Sequence, residues 1–238
     1  AEISDSVGLD LLHVHYAIPH ALSAHLACQI VRKKPPKIIT TLHGTDVTLI
    51  GNLKSLKPLT RYSIEQSNGV TAVSDFLRRK TEEIFSLKQP IRVIHNFIDT
   101  AIFHPGAKDD ADRFDKKPGE KFIIHISNFR KVKRIPDVID IFKGISDRIP
   151  ARLLLIGDGP EMCTAEERID ALGVREKVLF LGLVDNVAPV LAWGDLLLQV
   201  SDHESFGLSS LEALACGVPV IATSGSGLDE VVSDGKNG

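Results

Sequence analysis

Three short stretches of this chain hold residue types that could carry chemistry. The first is His43-Gly44-Thr45-Asp46, directly after the apolar and β-branched run Lys37–Leu42. An imidazole there can donate a hydrogen bond to a reacting hydroxyl or a phosphate oxygen, and the glycine lets a ligand approach the backbone. The same four residues read equally well as a turn in which Asp46 caps a helix. The second stretch is Asn128-Phe129-Arg130-Lys131-Val132-Lys133-Arg134, with four cations within five residues. Such a group suits a diphosphate, which arginine grips in a bidentate manner and lysine meets as a point charge. Taken alone, a solvated basic loop is the more ordinary reading. The third runs from Ser201-Asp202-His203-Glu204-Ser205 through Phe206-Gly207-Leu208 to Glu212. Amides at Phe206–Leu208 would sit at a helix N-terminus, which attracts anions by geometry and dipole. Glu204 would stand at the mouth of that turn. Glu212 would lie about two turns deeper, as an acceptor for vicinal sugar hydroxyls. Two acids decorating a helix is the plain alternative, yet an idle charge among Leu211, Ala213, Leu214 and Ala215 would be costly.

Positioning such loops requires strands that end beneath them. Strands are expected at Leu11–His15, Lys37–Leu42, Gly69–Val73 and Ile91–Ile94, with helices at Pro19–Lys33, Ser55–Ser67 and Asp75–Phe85, the last capped by Ser74. After the Pro/Gly/Asp-rich stretch His104–Glu120 a second series follows. Its strands are Lys121–Ser127, Ala151–Ile156, Lys177–Leu181, Asp195–Val200 and Val218–Ala222. Its helices are Ile135–Arg148, Glu161–Leu172, Asn186–Trp193, Phe206–Cys216 and Leu228–Ser233. Alternating β and α with nearly continuous apolar strands implies α/β architecture, with parallel sheets covered on both faces. Two series imply two doubly wound domains, at 1–100 and 121–238, joined by a linker at 101–120. Ligands in such sheets bind beyond the carboxyl ends of the strands, where all three stretches fall.

Composition narrows the class. The chain has 238 residues, 43% hydrophobic and 25% charged, which is globular and not disordered or collagen-like. A formal charge of −3 offers no basic field for nucleic acid. The uncharged run Ala213–Leu228 is interrupted by Gly217 and Pro219 and is too short to span a bilayer, so no membrane span is expected. Cys28, Cys163 and Cys216 are scattered, which disfavours a disulfide framework and fits a reducing cytoplasm. Gly157-Asp158-Gly159-Pro160 stops short of a dinucleotide fingerprint, and no Walker motif occurs. His13 and His15, with His20 or His25, invite a zinc reading, but no further ligand stands at suitable spacing. Met162 is the sole methionine, so the chain is expected to be an internal piece of a longer one.

Together the loops resemble one family. The pattern Glu204-x-Phe206-Gly207-Leu208-x-x-x-Glu212-Ala213-x-Ala215-x-Gly217-x-Pro219-Val220 is similar to the signature of retaining glycosyltransferases of family four. The segment His43–Asp46, the turn Asn96-Phe97-Ile98-Asp99 and the Arg/Lys loop fall in that family's order. The resemblance implies a GT-B fold: two Rossmann-like domains facing a cleft, both incomplete here, with the nucleotide sugar held mainly by the second. Residues 13–21, 40–46 and 125–134 further resemble the branch that transfers N-acetylglucosamine from its UDP sugar to L-malate, the first step of bacillithiol synthesis, with retention and without metal.

On this resemblance His43, Arg130, Lys133 and Glu204 are the catalytic set. Glu212, Phe206, Gly207, Leu208 and Gly157 bind the donor, and Tyr16, Thr41 and Asn96 bind the acceptor. Many family members have Gly-Arg where this chain has Ser127-Asn128, so the phosphate role passes to Arg130 with Lys133. No cofactor is implied, since UDP-N-acetylglucosamine is a substrate. The implied partners are small molecules, and a homo-oligomer is compatible with this reading. Three alternatives remain beside it: a family-four enzyme with another acceptor, a UDP-sugar 2-epimerase of the same architecture, and a non-catalytic nucleotide-sugar-binding module.

Overall fold

Parallel strands with apolar faces must be covered by helices, and the computed structural model, which describes residues 1–50, 53–108 and 114–238, shows this in two units. They comprise Ala1–Asn96 and Phe97–Gly238. The first holds a four-stranded parallel sheet in the order β1-β2-β3-β4: Leu11–His15, Lys37–Leu42, Gly69–Ala72 and Ile91–Val93. Its helices are α1 (Glu2–Val7), α2 (Leu22–Ile30), α3 (Lys57–Glu65) and α4 (Asp75–Phe85). Ser74 caps α4 as expected, its hydroxyl accepting from the Leu77 amide at 3.0 Å. One helix is added and one expectation is corrected. Helix α1 was not anticipated, and the helix expected over Pro19–Lys33 is confined to α2 and preceded by a kinked turn, Ala17–Ala21, because Ile18 is extended (φ −125°, ψ 131°).

The second unit holds β5 (Lys121–Ile126), β6 (Ala151–Ile156), β7 (Val178–Gly182), β8 (Leu196–Gln199) and β9 (Val220–Ala222), all parallel, in the order β7-β6-β5-β8-β9. Helices α5 (Ile135–Ser146), α6 (Met162–Ala171), α7 (Ala188–Trp193) and α8 (Leu208–Ala215) cover it. Strand periodicity sorts the core into two layers. Ile123, Leu153 and Leu155 pack with Val138, Phe142 and Ile169 from α5 and α6 on one side. Phe122, Ile124, Leu154 and Leu197 pack with Leu191 and Ala213 from α7 and α8 on the other. The short helix expected at Leu228–Ser233 is instead a single 3₁₀ turn, Gly227–Glu230, capped by Ser226.

Of the segment expected as a linker, residues 109–113 lie outside the described residues. On either side of them Phe103, Ala107 and Phe114 pack against the second unit's core. Among the described residues no helix is long and apolar enough to cross a membrane.

Candidate functional site

In the second unit the chain leaves β5 toward β6 on one side, while β8 lies on the other. This is a topological switch point, the place beyond the carboxyl ends of both strands where open α/β sheets bind ligands. Two of the three stretches singled out above meet at it. His125, the fifth residue of β5, is fully buried. Its Nδ1 lies 2.8 Å from the Leu198 carbonyl, which can only accept, so Nδ1 carries the proton and Nε2 accepts from the Ser127 hydroxyl at 2.9 Å. Burial drives the pKa of this ring down to about 4, so it stays neutral. Ser127 Oγ in turn accepts from the Phe129 amide at 3.3 Å, which helps to hold the start of the basic loop.

The loop also rests on the turn after β6. Gly157 has φ +121°, and a Cβ there would stand 1.8 Å from the Ser127 carbonyl oxygen. Gly157, expected to contact donor, thus makes room for this chain's own backbone. Past Phe129, residues Lys131–Lys133 form one 3₁₀ turn. Lys133 pairs with Glu204, and both side chains are largely shielded from solvent. The Asp202 amide donates to the Val132 carbonyl at 2.9 Å, joining the two loops by their backbones. Arg134 pairs with Asp137 at 2.5 Å and reaches Asp202 at 3.5 Å, while Arg130 is exposed.

The Glu204 carboxylate also accepts from Gln199 Nε2 at 2.8 Å and Ser201 Oγ at 3.0 Å. Neither donor was anticipated from sequence. The available signal was a glutamine interrupting the apolar run Leu196-Leu197-Leu198-Gln199-Val200. Helix α8 opens at Gly207 (φ +94°), where a Cβ would strike Leu228. Phe206 is buried and Leu208 exposed. Glu212 is half-buried on α8, with no hydrogen bond or ion pair to its side chain among the described residues. Burial alone pushes its carboxyl pKa up. The cations of this loop and the carboxylate on α8 are group types that an anionic ligand bearing hydroxyl groups could use.

The first unit gathers a different set at the carboxyl ends of β1 and β2. His43 Nε2 lies 2.7 Å from His15 Nδ1, and the Tyr16 ring is 4.9 Å from the His43 ring. Burial, then the neighbouring His15, lowers the His43 pKa; His13 adds to this and Asp46 opposes it. Asp46 is fully buried and ties two loops together, accepting from the Ala17 amide at 2.9 Å and the Gly44 amide at 3.0 Å. Burial raises its pKa in spite of those bonds. Thr41 Oγ1 is 2.8 Å from His13 Nε2 and 2.7 Å from Thr71 Oγ1. Asn96, beyond β4, makes no hydrogen bond to this group among the described residues. The zinc reading gains no support. The ring nitrogens His13 Nε2, His15 Nδ1 and His20 Nδ1 are engaged with Thr41, His43 and the His15 carbonyl, and no cluster among the described residues could hold a metal.

Comparison with known proteins supplies the family. Residues 107–238 match the family described as "Glycosyl transferases group 1", and residues 1–102 match "Glycosyltransferase Family 4". The chain is 49% identical over its whole length to N-acetyl-alpha-D-glucosaminyl L-malate synthase of Bacillus anthracis, and covers 62% of that protein. It is 31% identical, over 62% of its own length and 35% of the relative's, to D-inositol 3-phosphate glycosyltransferase of Mycolicibacterium smegmatis. Among solved structures, Anabaena Alr3699/HepE in complex with UDP and glucose superposes with a TM-score of 0.79 at 20% identity, covering 96% of this chain and 63% of the other. With a family match over each half and two parallel α/β sheets of the corresponding fold, the chain belongs to the family 4 glycosyltransferases of GT-B type.

Proposed function

We propose that the protein transfers N-acetylglucosamine from UDP-N-acetylglucosamine to L-malate in the cytoplasm, with retention at the anomeric carbon and without a metal ion. The observation that carries the substrate pair is the 49% identity, across all of this chain, to a relative with that activity in its name. The second unit supports the donor half. Glu212 takes the ribose hydroxyls. Arg130, Lys133 and the N-terminus of α8 take the charge of the leaving diphosphate, the role a divalent ion would otherwise fill. Glu204 meets the sugar hydroxyls. Tyr16, Thr41 and Asn96 of the first unit are the acceptor-side residues, and His43, kept neutral near pH 7 by its lowered pKa, is a hydrogen-bond partner for the reacting sugar. No carboxylate is assigned as a nucleophile. In this reading the malate hydroxyl attacks from the face the diphosphate leaves, its proton passes to the departing phosphate oxygen, and the C1–O bond to UDP is replaced by one to malate.

The test is release of UDP from UDP-N-acetylglucosamine by the whole protein, with and without L-malate, in the presence of chelator. Malate-dependent release is expected. Epimer or free sugar without malate would favour the epimerase reading, and UDP binding with no turnover the binding-module reading. Release with inositol 3-phosphate in place of malate would move the acceptor elsewhere in the family. Lys133→Ala should lower turnover on the order of 10²–10³-fold while leaving uridine binding intact. Reversible loss of activity on chelation would overturn the metal-free claim.

A further inference from the structure

Lys133, Ser201 and Gln199 all donate to one oxygen of Glu204. Lys133 is the charged partner, and on the reading above it is also the group that a diphosphate would draw away. The other two donors belong to or follow directly from β8, between β5 and β9 in the sheet, and do not depend on the ligand. Gln199 is the unexpected one. It is 1% exposed, at the last position of β8, between the buried Leu198 and Val200. Its Nε2 reaches Glu204 Oε1 at 2.8 Å and Ser201 Oγ at 3.2 Å, while its Oε1 is buried with no hydrogen-bond partner among the described residues. An unpaired buried carbonyl is a cost that an apolar side chain of the same length would avoid. What the amide supplies in return is its bond to Glu204.

We infer that Gln199 is the positioning residue of Glu204. With Ser201 it anchors Oε1 to the end of β8, so the carboxylate keeps its place when Lys133 turns to the diphosphate. The other carboxylate oxygen is thereby left for a sugar hydroxyl. This rests on the reading of Glu204 as the group that meets the donor sugar.

The decisive variant is Gln199→Met, which keeps length and removes both the donor and the unpaired carbonyl. In the whole protein, calorimetry would compare UDP with UDP-N-acetylglucosamine. Melting temperature and UDP affinity should be unchanged or improved. The ratio of UDP-N-acetylglucosamine affinity to UDP affinity should fall about tenfold, the scale of one hydrogen bond to a charged group. In a Glu204→Ala background, Gln199→Met should have no further effect on that ratio. An unchanged ratio in the single variant, whether or not stability and UDP affinity fall, overturns the positioning role and leaves Gln199 a core residue. If Glu204→Ala itself leaves the ratio unchanged while UDP still binds, the assignment of Glu204 fails, and this inference fails with it.

Discussion

A carboxyl group buried without a partner resists ionisation, and Glu212 is held in that state, its pKa raised by burial alone. On the proposed assignment, hydrogen-bond donors supplied by a ribose would favour the charged form, and ligand binding would be coupled to ionisation of Glu212. Glu212→Ala should weaken UDP binding by about 1.5–3 kcal/mol, roughly 10- to 150-fold. Glu212→Gln, which keeps an acceptor, should cost less. Titration should also show UDP affinity falling with pH from above the usual carboxylate range, a dependence lost in Glu212→Gln. Pre-existing affinity in a folded Glu212→Ala variant would remove the ribose assignment. His125 makes the opposite kind of statement, about stability. Its native pKa of about 4 lies below the unfolded value, so between about pH 6.5 and 4 the unfolded chain binds the extra proton. Its contribution is therefore present above pH 6.5 and lost as pH falls, at up to about 1.4 kcal/mol per pH unit. Denaturant titrations across that range should show this slope reduced by one proton's worth in His125→Gln.

At the scale of elements, the basic loop keeps its place by lying against its neighbours. The turn after β6 is hollowed to receive it, with a Cβ on Gly157 falling 1.8 Å from one carbonyl oxygen and a Cβ on Gly159 falling 2.2 Å from the next. Gly157→Ala must displace the Ser127–Phe129 backbone and occupy a φ of +121° that side chains rarely adopt. It should lower both melting temperature and UDP affinity, because the loop it moves carries Arg130 and Lys133. Gly144→Ala is the control. Gly144 lies inside α5 with nothing within 4 Å of a new Cβ, so the substitution should stabilise by about 0.5–1 kcal/mol and leave UDP binding alone. Equal effects of the two alanines would show that the loop does not depend on this contact.

Across the whole molecule the two units differ in how their strands are buried. In the second, β5 has a strand on each side and four consecutive buried residues, Phe122–His125. In the first, β1 pairs only with β2 among the described residues, and Leu11, His13 and His15 are exposed. Local opening follows such differences. Hydrogen exchange of the 238-residue chain should therefore find its slowest amides in β5 and β6 and much faster exchange in β1. Uniform protection would contradict this.

Much of the fold was legible because the sequence pattern is local and repeated. β-branched and apolar runs separated by amphipathic stretches mark all nine described strands within two residues of where they lie, and Ser74 announces α4. β6, Ala151–Ile156, coincides with its expectation. The E-x7-E stretch and the basic loop were legible as residue types at fixed spacing. The misreadings arise where the chain conformation answers to something distant. The turn Ala17–Ala21 is shaped in part by Asp46, 29 positions beyond Ala17, whose carboxylate holds the Ala17 amide. Nothing in the local sequence shows that Gly157, expected as a donor contact, also makes room for the Ser127 carbonyl, 30 positions before it. Gln199 is one polar residue in an apolar strand, and nothing beside it in sequence marks its role. That it touches Glu204, and that Glu204 touches Lys133 across 71 positions of sequence, follows from the placing of β8 beside β5. Local composition determines which segments become strands and helices, because side-chain period and backbone propensity act over a few residues. Strand order decides which loops meet, since it depends on burying two apolar layers at once, and no short window of sequence contains both.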